Sequence, residues 1–290
     1  MEFNDLLKLV SIDPQQVIVL RHRPSEPELR KVLPWLAAER HDLYNAYQQT
    51  HGEKVEKAFL RATHVASFIG HTPGKALFIG LFKIGQNKEL SFKQYWEIPA
   101  HQELKSKFGM IGFGRKRPSV LRFDLPATSI YAEWKGKLIV RWPPPERSWW
   151  RRAHKNVLGV EAIVEQSVLT AAMPPWNEMV FDWNEIEILP TSWRAVLSQW
   201  RGIYLIFDKS DGKFYVGSAS GTENILGRWM NYATSQHGGN RLLKGRDPMN
   251  FSFSMLERVS PDMTSENVVR LENTWKQRLH SRAPIGLNDN

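Results

Sequence analysis

Apolar residues recur along the chain at two spacings, one typical of helices and one typical of strands. Residues 28–50 and 53–69 carry them at intervals that predict helices. The run KALFIGLFKIG at 75–85 is short, apolar and aromatic, and it predicts a buried strand. Further strands are predicted at SVLRFDL (119–125) and at YAEWKGKLIVRW (131–142), the second as a hairpin turning at Lys135-Gly136.

A different pattern begins near residue 200, with RGIYLIFDKSDGKFYVGSASG at 201–221. Asp211-Gly212 between two apolar runs predicts a β-hairpin with a two-residue turn, because a type I′ turn needs positive φ at both central positions. That register places Tyr204 and Tyr215 on one face, about four residues apart along the ribbon. Tyrosine also occurs in strands for purely structural reasons, so both roles are open.

Two helices are predicted after this ribbon. GTENILGRWMNYATSQ (221–236) gives a helix capped by Thr222, with Glu223 in its first turn. Arg228 and Tyr232 lie at one margin of its apolar stripe. In TSENVVRLENTWKQRLHSR (264–282), Glu272 falls inside the apolar stripe. An isolated carboxylate is costly to bury, so Glu272 is expected either to pair with an arginine or to bind a hard divalent cation such as Mg²⁺.

Composition narrows the class of protein. The chain has 290 residues, enough for one large or two ordinary domains, and 42% of them are hydrophobic, which argues against wholesale disorder. It has no cysteine, which excludes disulfides and thiolate–zinc sites. No apolar run approaches the roughly 20 residues that span a bilayer. Acidic residues stand where a secretory signal would be basic, so a cytoplasmic location and no membrane partner are expected.

The positive charge is concentrated in one window. The net charge is +9, and Lys105 to Lys155 holds 13 Lys and Arg against 3 Asp and Glu, a local surplus of 13 − 3 = +10. Nucleic acid is the commonest partner of such a balance, although a solvated basic face would look the same. Candidate DNA-binding residues in and around this window are Arg115, Lys116, Arg117, Arg147, Trp149, Trp150, Arg151 and Arg152.

The C-terminal residues resemble the GIY-YIG nuclease superfamily in their order. GIY is literal at 202–204, YVG at 215–217 is a common form of the second triad, and the two tyrosines are 11 positions apart. An arginine on the following helix, a glutamate on a later helix and an asparagine in the terminal GLNDN complete the pattern. The residues in question are Tyr204, Tyr215, Arg228, Tyr232, Glu272 and Asn288.

This resemblance implies a fold and an activity. The fold is α+β, a central three-stranded antiparallel sheet flanked by helices, with FSFSMLERV (251–259) as third strand. The activity is hydrolysis of DNA phosphodiesters with Mg²⁺ or Mn²⁺. Glu272 binds the metal, Arg228 clamps the phosphate, and Tyr204 or Tyr215 deprotonates the attacking water, the choice between them being open. Further candidates for phosphate or substrate contacts are Ser218, His237 (equally a plain loop histidine) and Asn288.

Two positions distinguish branches of that superfamily. Ser218 stands where excision-repair incision subunits have a lysine, whereas a phage-intron homing branch also reads Tyr-Val-Gly-Ser-Ala. Tyr232 stands where the homing branch has histidine and the repair branch has tyrosine. Tyr232 therefore favours a tyrosine-assisted site.

The chain is accordingly expected to contain an α+β DNA-reading domain at 1–160, a connection at 161–197 and a nuclease domain at 198–290. KALFIGLFKIG faintly resembles PUA-like barrels, a group that includes readers of modified bases. The preferred function is a restriction or phage-defence endonuclease. A structure-specific repair or recombination nuclease and an inactive nucleic-acid-binding protein are the alternatives, and the sequence leaves the target and a monomer or dimer open.

Overall fold

The computed structural model describes residues 1–114, 117–221, 224–235 and 237–289. The chain divides into two compact units, Met1–Ala171 and Ala172–Asn290. The later part of the predicted connection, from residue 172 onwards, thus belongs to the second unit. Within the described ranges, no helix is both long and apolar enough to cross a membrane.

The first unit mixes helices and strands. Its helices are α1 (Phe3–Leu9), α2 (Pro27–Glu39), α3 (His41–Gln48), α4 (Glu53–Phe59), α5 (Phe92–Trp96) and α6 (Pro99–Phe108). Its strands are β1 (Val17–His22), β2 (His64–Gly70), β3 (Lys75–Lys83), β4 (Asn87–Ser91), β5 (Ser119–Phe123), β6 (Leu138–Arg141), β7 (Trp150–Arg152) and β8 (Val160–Ile163).

Six of these strands form one sheet in the order β7-β1-β2-β3-β6-β8, while β4 pairs with β5. β1 runs parallel to β2, and the other pairs are antiparallel. Alternate residues of β1 enter different apolar clusters, Val17 and Val19 on one face and Ile18 and Leu20 on the other. Because both faces of the sheet are covered there, the inner strands β1, β2 and β3 are buried along most of their length.

Three local predictions for this unit need correction. The helix predicted at 53–69 ends at Phe59, and residues 64–70 form β2, because pairing with β1 outweighs their helical spacing. The helix predicted at 28–50 breaks at Arg40. The hairpin predicted at 131–142 does not form. A 3₁₀ turn at Ala132–Trp134 takes the place of its first strand, and β6 follows as a single strand. Tyr131 and Trp134 stack at this turn with ring centroids 4.3 Å apart.

The second unit has the predicted α+β architecture. Its sheet runs β11-β10-β12-β9 and is antiparallel throughout, so the three expected strands gain a fourth at the edge away from β11. The strands are β9 (Val180–Asp182), β10 (Arg201–Asp208), β11 (Phe214–Ala219) and β12 (Phe251–Val259). The helices are α7 (Trp183–Ile186), α8 (Thr191–Leu197), α9 (Asn224–Ser235) and α10 (Ser265–Arg278).

Helices α9 and α10 pack on opposite faces of this sheet. Tyr204 and Ile206 of β10 share a cluster with Trp229 of α9, whereas Ile203 shares one with Val268 of α10. Thr264 caps α10 by accepting a hydrogen bond from the Asn267 amide. The predicted cap of the other helix, Thr222 with Glu223, lies outside the described residues.

The β10–β11 hairpin has a longer loop than the two-residue turn predicted. Phe207 pairs with Phe214, which shifts the register by two residues. The Asp208 amide then donates a hydrogen bond of 2.8 Å to the Lys213 carbonyl, so the loop consists of residues 209–212. Asp208 holds this loop, since its carboxylate accepts hydrogen bonds from the Ser210 amide at 2.9 Å and from Arg246 at 2.6 Å. A two-residue shift preserves the face of every side chain, so both tyrosines still point the same way.

Candidate functional site

Tyr204 lies in the middle of β10, on the face covered by α9, and is 0% exposed. Its neighbour on edge strand β11 is Gly217. A Cβ atom at residue 217 would lie 2.5 Å from the Tyr204 hydroxyl oxygen, so only glycine leaves room for the phenol to extend across β11. The tyrosine of the first triad and the glycine of the second are therefore a packing pair.

Three tyrosines meet on this face. Their ring centroids are 6.5 Å apart for Tyr204 and Tyr215, 6.1 Å for Tyr204 and Tyr232, and 6.2 Å for Tyr215 and Tyr232. The Tyr204 and Tyr232 hydroxyls share a hydrogen bond of 3.2 Å. Both of these side chains are fully buried, whereas Tyr215 is half-buried. The register shift also brings Tyr215 to two residues, rather than four, from Tyr204 along the ribbon.

Arg228 closes the tyrosine cluster from α9. Its Nε donates a hydrogen bond of 3.4 Å to the Tyr204 hydroxyl. Burial raises the pKa of Tyr204, and so does Tyr215, although Arg228 opposes them. Burial is the largest cause that raises the pKa of Tyr232, and Tyr204 and Tyr215 raise it further. Both buried phenols are therefore protonated at neutral pH.

Glu272 reaches the same edge strand from the opposite face. Its side chain is 15% exposed, and it lies between residues of α10 that pack on the sheet, as the sequence predicts. One carboxylate oxygen accepts a hydrogen bond from the Ser218 hydroxyl. The other lies 2.7 Å from Nζ of Lys276, one turn later on α10. Because Ser218 follows Gly217, the carboxylate and the Tyr204 hydroxyl flank neighbouring residues of one strand.

Lys276 is the partner that the sequence reasoning missed. An arginine was expected as the alternative to a cation, but the charge opposite Glu272 is a lysine that is only 3% exposed. The spacing of four residues on one helix, glutamate before lysine, is the signal that predicts such a pair.

Other predicted contacts are placed differently. Asn288 is buried and has a structural role. Its side chain accepts a hydrogen bond of 2.9 Å from the Val216 amide and donates one of 2.8 Å to the Val216 carbonyl. His237 is half-buried, and its Nδ1 accepts a hydrogen bond from the Gly239 amide at 3.0 Å. Neither side chain has a hydrogen bond to the tyrosines, Arg228 or Glu272 within the described part of the chain. Ser218 alone of these three touches the site.

The candidate DNA-binding residues of the first unit differ in how far the protein itself engages them. Some are hydrogen-bonded within the protein and others are exposed. Arg117 is held by a fork on Glu56, at 2.8 and 2.6 Å, and Arg151 donates to Asn156 and to two proline carbonyls. Arg147 and Trp149 are exposed beside a cavity. Trp150 and Arg152 are half-buried in edge strand β7, while Arg115 and Lys116 lie outside the described residues.

A divalent cation at this site would rely on one carboxylate. Among the described residues, no group of three or more His, Asp or Glu side chains could hold a metal. Glu272 fits a hard cation that keeps water and substrate oxygens as its other ligands, because it is partly exposed and each oxygen accepts only one described hydrogen bond.

The GIY-YIG catalytic domain is the family whose model matches the chain, over residues 201–284. The match confirms the resemblance for this part of the second unit and supports a nuclease of the GIY-YIG type, for which DNA is the implied substrate. No curated protein and no solved structure shows significant similarity to the chain. The PUA-like resemblance of the first unit therefore stays a prediction.

Proposed function

We propose that this chain is a divalent-metal-dependent DNA endonuclease that serves restriction or phage defence, and that its first unit reads a sequence or a modified base. One observation carries the proposal. The Tyr204, Tyr232 and Arg228 side chains are joined by hydrogen bonds on one face of edge strand β11, and Glu272 meets the same strand from the other face.

Arg228 binds the scissile phosphate in this proposal. Its Nε is directed to Tyr204, and its remaining N–H groups have no hydrogen-bond partner among the described residues. A guanidinium held at one nitrogen presents the others as a fixed fork, which suits phosphate oxygens. The tyrosine cluster orients this arginine, so the buried phenols act through position.

Tyr215 deprotonates the attacking water. It is the half-exposed member of the cluster, whereas Tyr204 is fully buried and its pKa is raised by that burial. A general base must reach the water it activates, and Tyr215 satisfies this requirement better. Glu272 would hold the Mg²⁺ or Mn²⁺ ion, which supplies stabilisation of the charge that develops on the phosphate and the leaving oxygen.

The test is a cleavage panel of unmodified, methylated, hydroxymethylated, branched and single-stranded DNA with Mg²⁺ or Mn²⁺. Wild-type protein is expected to cut duplex DNA at discrete sites. Glu272→Ala is expected to lose cutting and keep binding, while Glu266→Ala, exposed at the start of the same helix, keeps both. Cuts at junctions would indicate a repair nuclease instead, and binding without any cutting would indicate an inactive module.

A further inference from the structure

The first unit contains a cavity at the end of β1 that the nuclease site does not use. Its volume is about 570 Å³, and it is bounded by the last residues of β1, by α3 and by the segment before β7. A second cavity of about 520 Å³ shares Glu26, Tyr47, His51 and Trp149 with it, so the two are adjacent. Volumes of this size accommodate small organic ligands or a nucleotide.

Three residues that line the cavity also carry a buried polar atom without a hydrogen-bond partner among the described residues. These atoms are Nε2 of His22, Nε2 of His51 and Nε of Arg21. His22 is only 4% exposed, and an unpaired polar group at that depth destabilises the folded protein. Burial lowers the pKa of His22 to about 4 and that of His51 to about 3, so both rings are neutral at pH 7. Neutral imidazoles can donate or accept a hydrogen bond, and these nitrogens do neither within the described chain.

Glu26 adds a carboxylate to the same wall. It accepts hydrogen bonds of 3.0 Å from the Ile111 amide and from the Ser25 hydroxyl. Burial acts to raise the pKa of Glu26, but these hydrogen bonds outweigh it and lower the pKa. An ionised carboxylate is an acceptor on both oxygens, so Glu26 attracts N–H donors of a ligand.

Aromatic rings and cations complete the cavity. Trp149 is 37% exposed, and its ring lies 5.4 Å from that of His51. Tyr47 lies across the same space, and the exposed Arg23 and Arg147 stand at the rim. Flat walls bind a flat ring by stacking, a carboxylate binds its polar edge, and rim arginines bind phosphates.

We propose that this cavity binds a single nucleobase rotated out of duplex DNA, stacked on Trp149 and recognised along its polar edge by Glu26. This rests on the proposed function only in taking DNA as substrate. Unpaired bases cost least to extrude, so they should bind best. Glu26 accepts from N–H donors, and the one on the polar edge of thymine, N3–H, lies between two carbonyl oxygens that a carboxylate repels. The amino-bearing bases adenine, cytosine and guanine should therefore be preferred to thymine.

The experiment measures binding in EDTA, where cleavage plays no part, using the full chain with Glu272→Ala. Each of the four bases is placed opposite an abasic site in otherwise identical duplexes, beside the fully paired duplex. We expect at least about tenfold tighter binding of an unpaired amino-bearing base. Trp149→Ala and Glu26→Gln should remove this preference. Two controls should retain it: Glu28→Gln, exposed on α2, and Val157→Ala, exposed in the same unit.

Three results would overturn the proposal. One is equal affinity for paired and unpaired duplexes. Another is a preference that survives both cavity variants, with their melting temperatures unchanged. The last comes from a parallel arm with the four deoxynucleoside monophosphates: if these bind through Trp149 and Glu26 while no duplex preference exists, the ligand is a free nucleotide. An absence of cleavage by wild-type protein would refute the nuclease function and leave these binding results unaffected.

Discussion

The nuclease-like site and the cavity of the first unit are both built from polar groups in apolar surroundings, yet their hydrogen bonding differs. In the second unit, Tyr204 bonds to Tyr232 and Arg228, and Glu272 bonds to Ser218 and Lys276. In the first unit, His22 and His51 line a cavity, and their buried Nε2 atoms have no hydrogen-bond partner within the described chain.

This difference separates groups that the protein itself fixes in position from groups that still lack a hydrogen-bond partner. A group that meets the substrate works best when its neighbours fix it beforehand, and the bonds to Arg228 and Glu272 do so. An orphaned buried donor or acceptor destabilises the free protein, and an ordered water or a ligand can satisfy it. The first arrangement indicates chemistry and the second indicates recognition.

The largest effect is expected from Arg228→Lys. Lysine keeps the charge but cannot bond Tyr204 and present a fork to phosphate at once, so the cleavage rate should fall by about 100-fold or more. Single-turnover cleavage at saturating protein measures this. Arg241→Lys is the matched control, since Arg241 is exposed and pairs only with Asp289 among the described residues. An unchanged rate would show that the tyrosine cluster does not position a phosphate-binding arginine.

Removing one hydroxyl at a time should separate two members of that cluster. Tyr215→Phe is expected to slow cleavage by about 100-fold or more, because the proposed general base is lost. Tyr204→Phe should slow it less, since Tyr204 only holds Arg228. The pH–rate profile provides the second readout: it should change shape in Tyr215→Phe and keep its shape in Tyr204→Phe. A greater loss in Tyr204→Phe would reverse the assignment.

The ordered set of tyrosines, arginine and glutamate was predictable because its spacing places each residue on a definite strand or helix. Side-chain alternation kept Tyr204 and Tyr215 on one face even though the turn was predicted two residues too short. The turn itself was not predictable from Asp211-Gly212, because Arg246, far along the chain, anchors Asp208 and Asp211.

The cavity could not be predicted because its residues come from distant segments. His22, Tyr47 and Trp149 meet only when β1 pairs with β2 and β7 and α3 packs nearby, so no local spacing signals them. The charge surplus between Lys105 and Lys155 pointed to the right unit but overstated its basic residues, since Arg117 and Arg151 are engaged within the protein. A charge count does not distinguish a structural arginine from an open one.

A methyl group added at residue 217 should disturb the packing of Tyr204 in the nuclease-like site. In Gly217→Ala the new Cβ would lie 2.5 Å from the Tyr204 hydroxyl, so the phenol must move and its bonds to Tyr232 and Arg228 must lengthen. Overpacking of this kind costs about 1–3 kcal/mol of unfolding free energy. Thermal unfolding and cleavage should both be impaired. Gly221→Ala, where a Cβ meets no atom of the described residues within 4 Å, should impair neither, and equal effects in the two variants would contradict the packing pair.

The smallest expected effect is a pH dependence of stability that comes from His22, whose Nε2 has no hydrogen-bond partner among the described residues. The pKa of His22 is lowered by burial from 6.5 to about 4 in the folded chain, so below pH 6.5 the unfolded chain binds a proton that the folded chain does not. Stability is therefore full above pH 6.5 and falls towards pH 4. Between pH 7.5 and 5.5 the loss for this one ring is about 1.4 kcal/mol. Melting temperatures over that range should fall less steeply in His22→Gln than in wild type, while His154→Gln, exposed in the same unit, should follow wild type. Parallel slopes for all three proteins would mean that His22 is protonated without penalty, and its ring nitrogen would no longer distinguish the cavity from the hydrogen-bonded site.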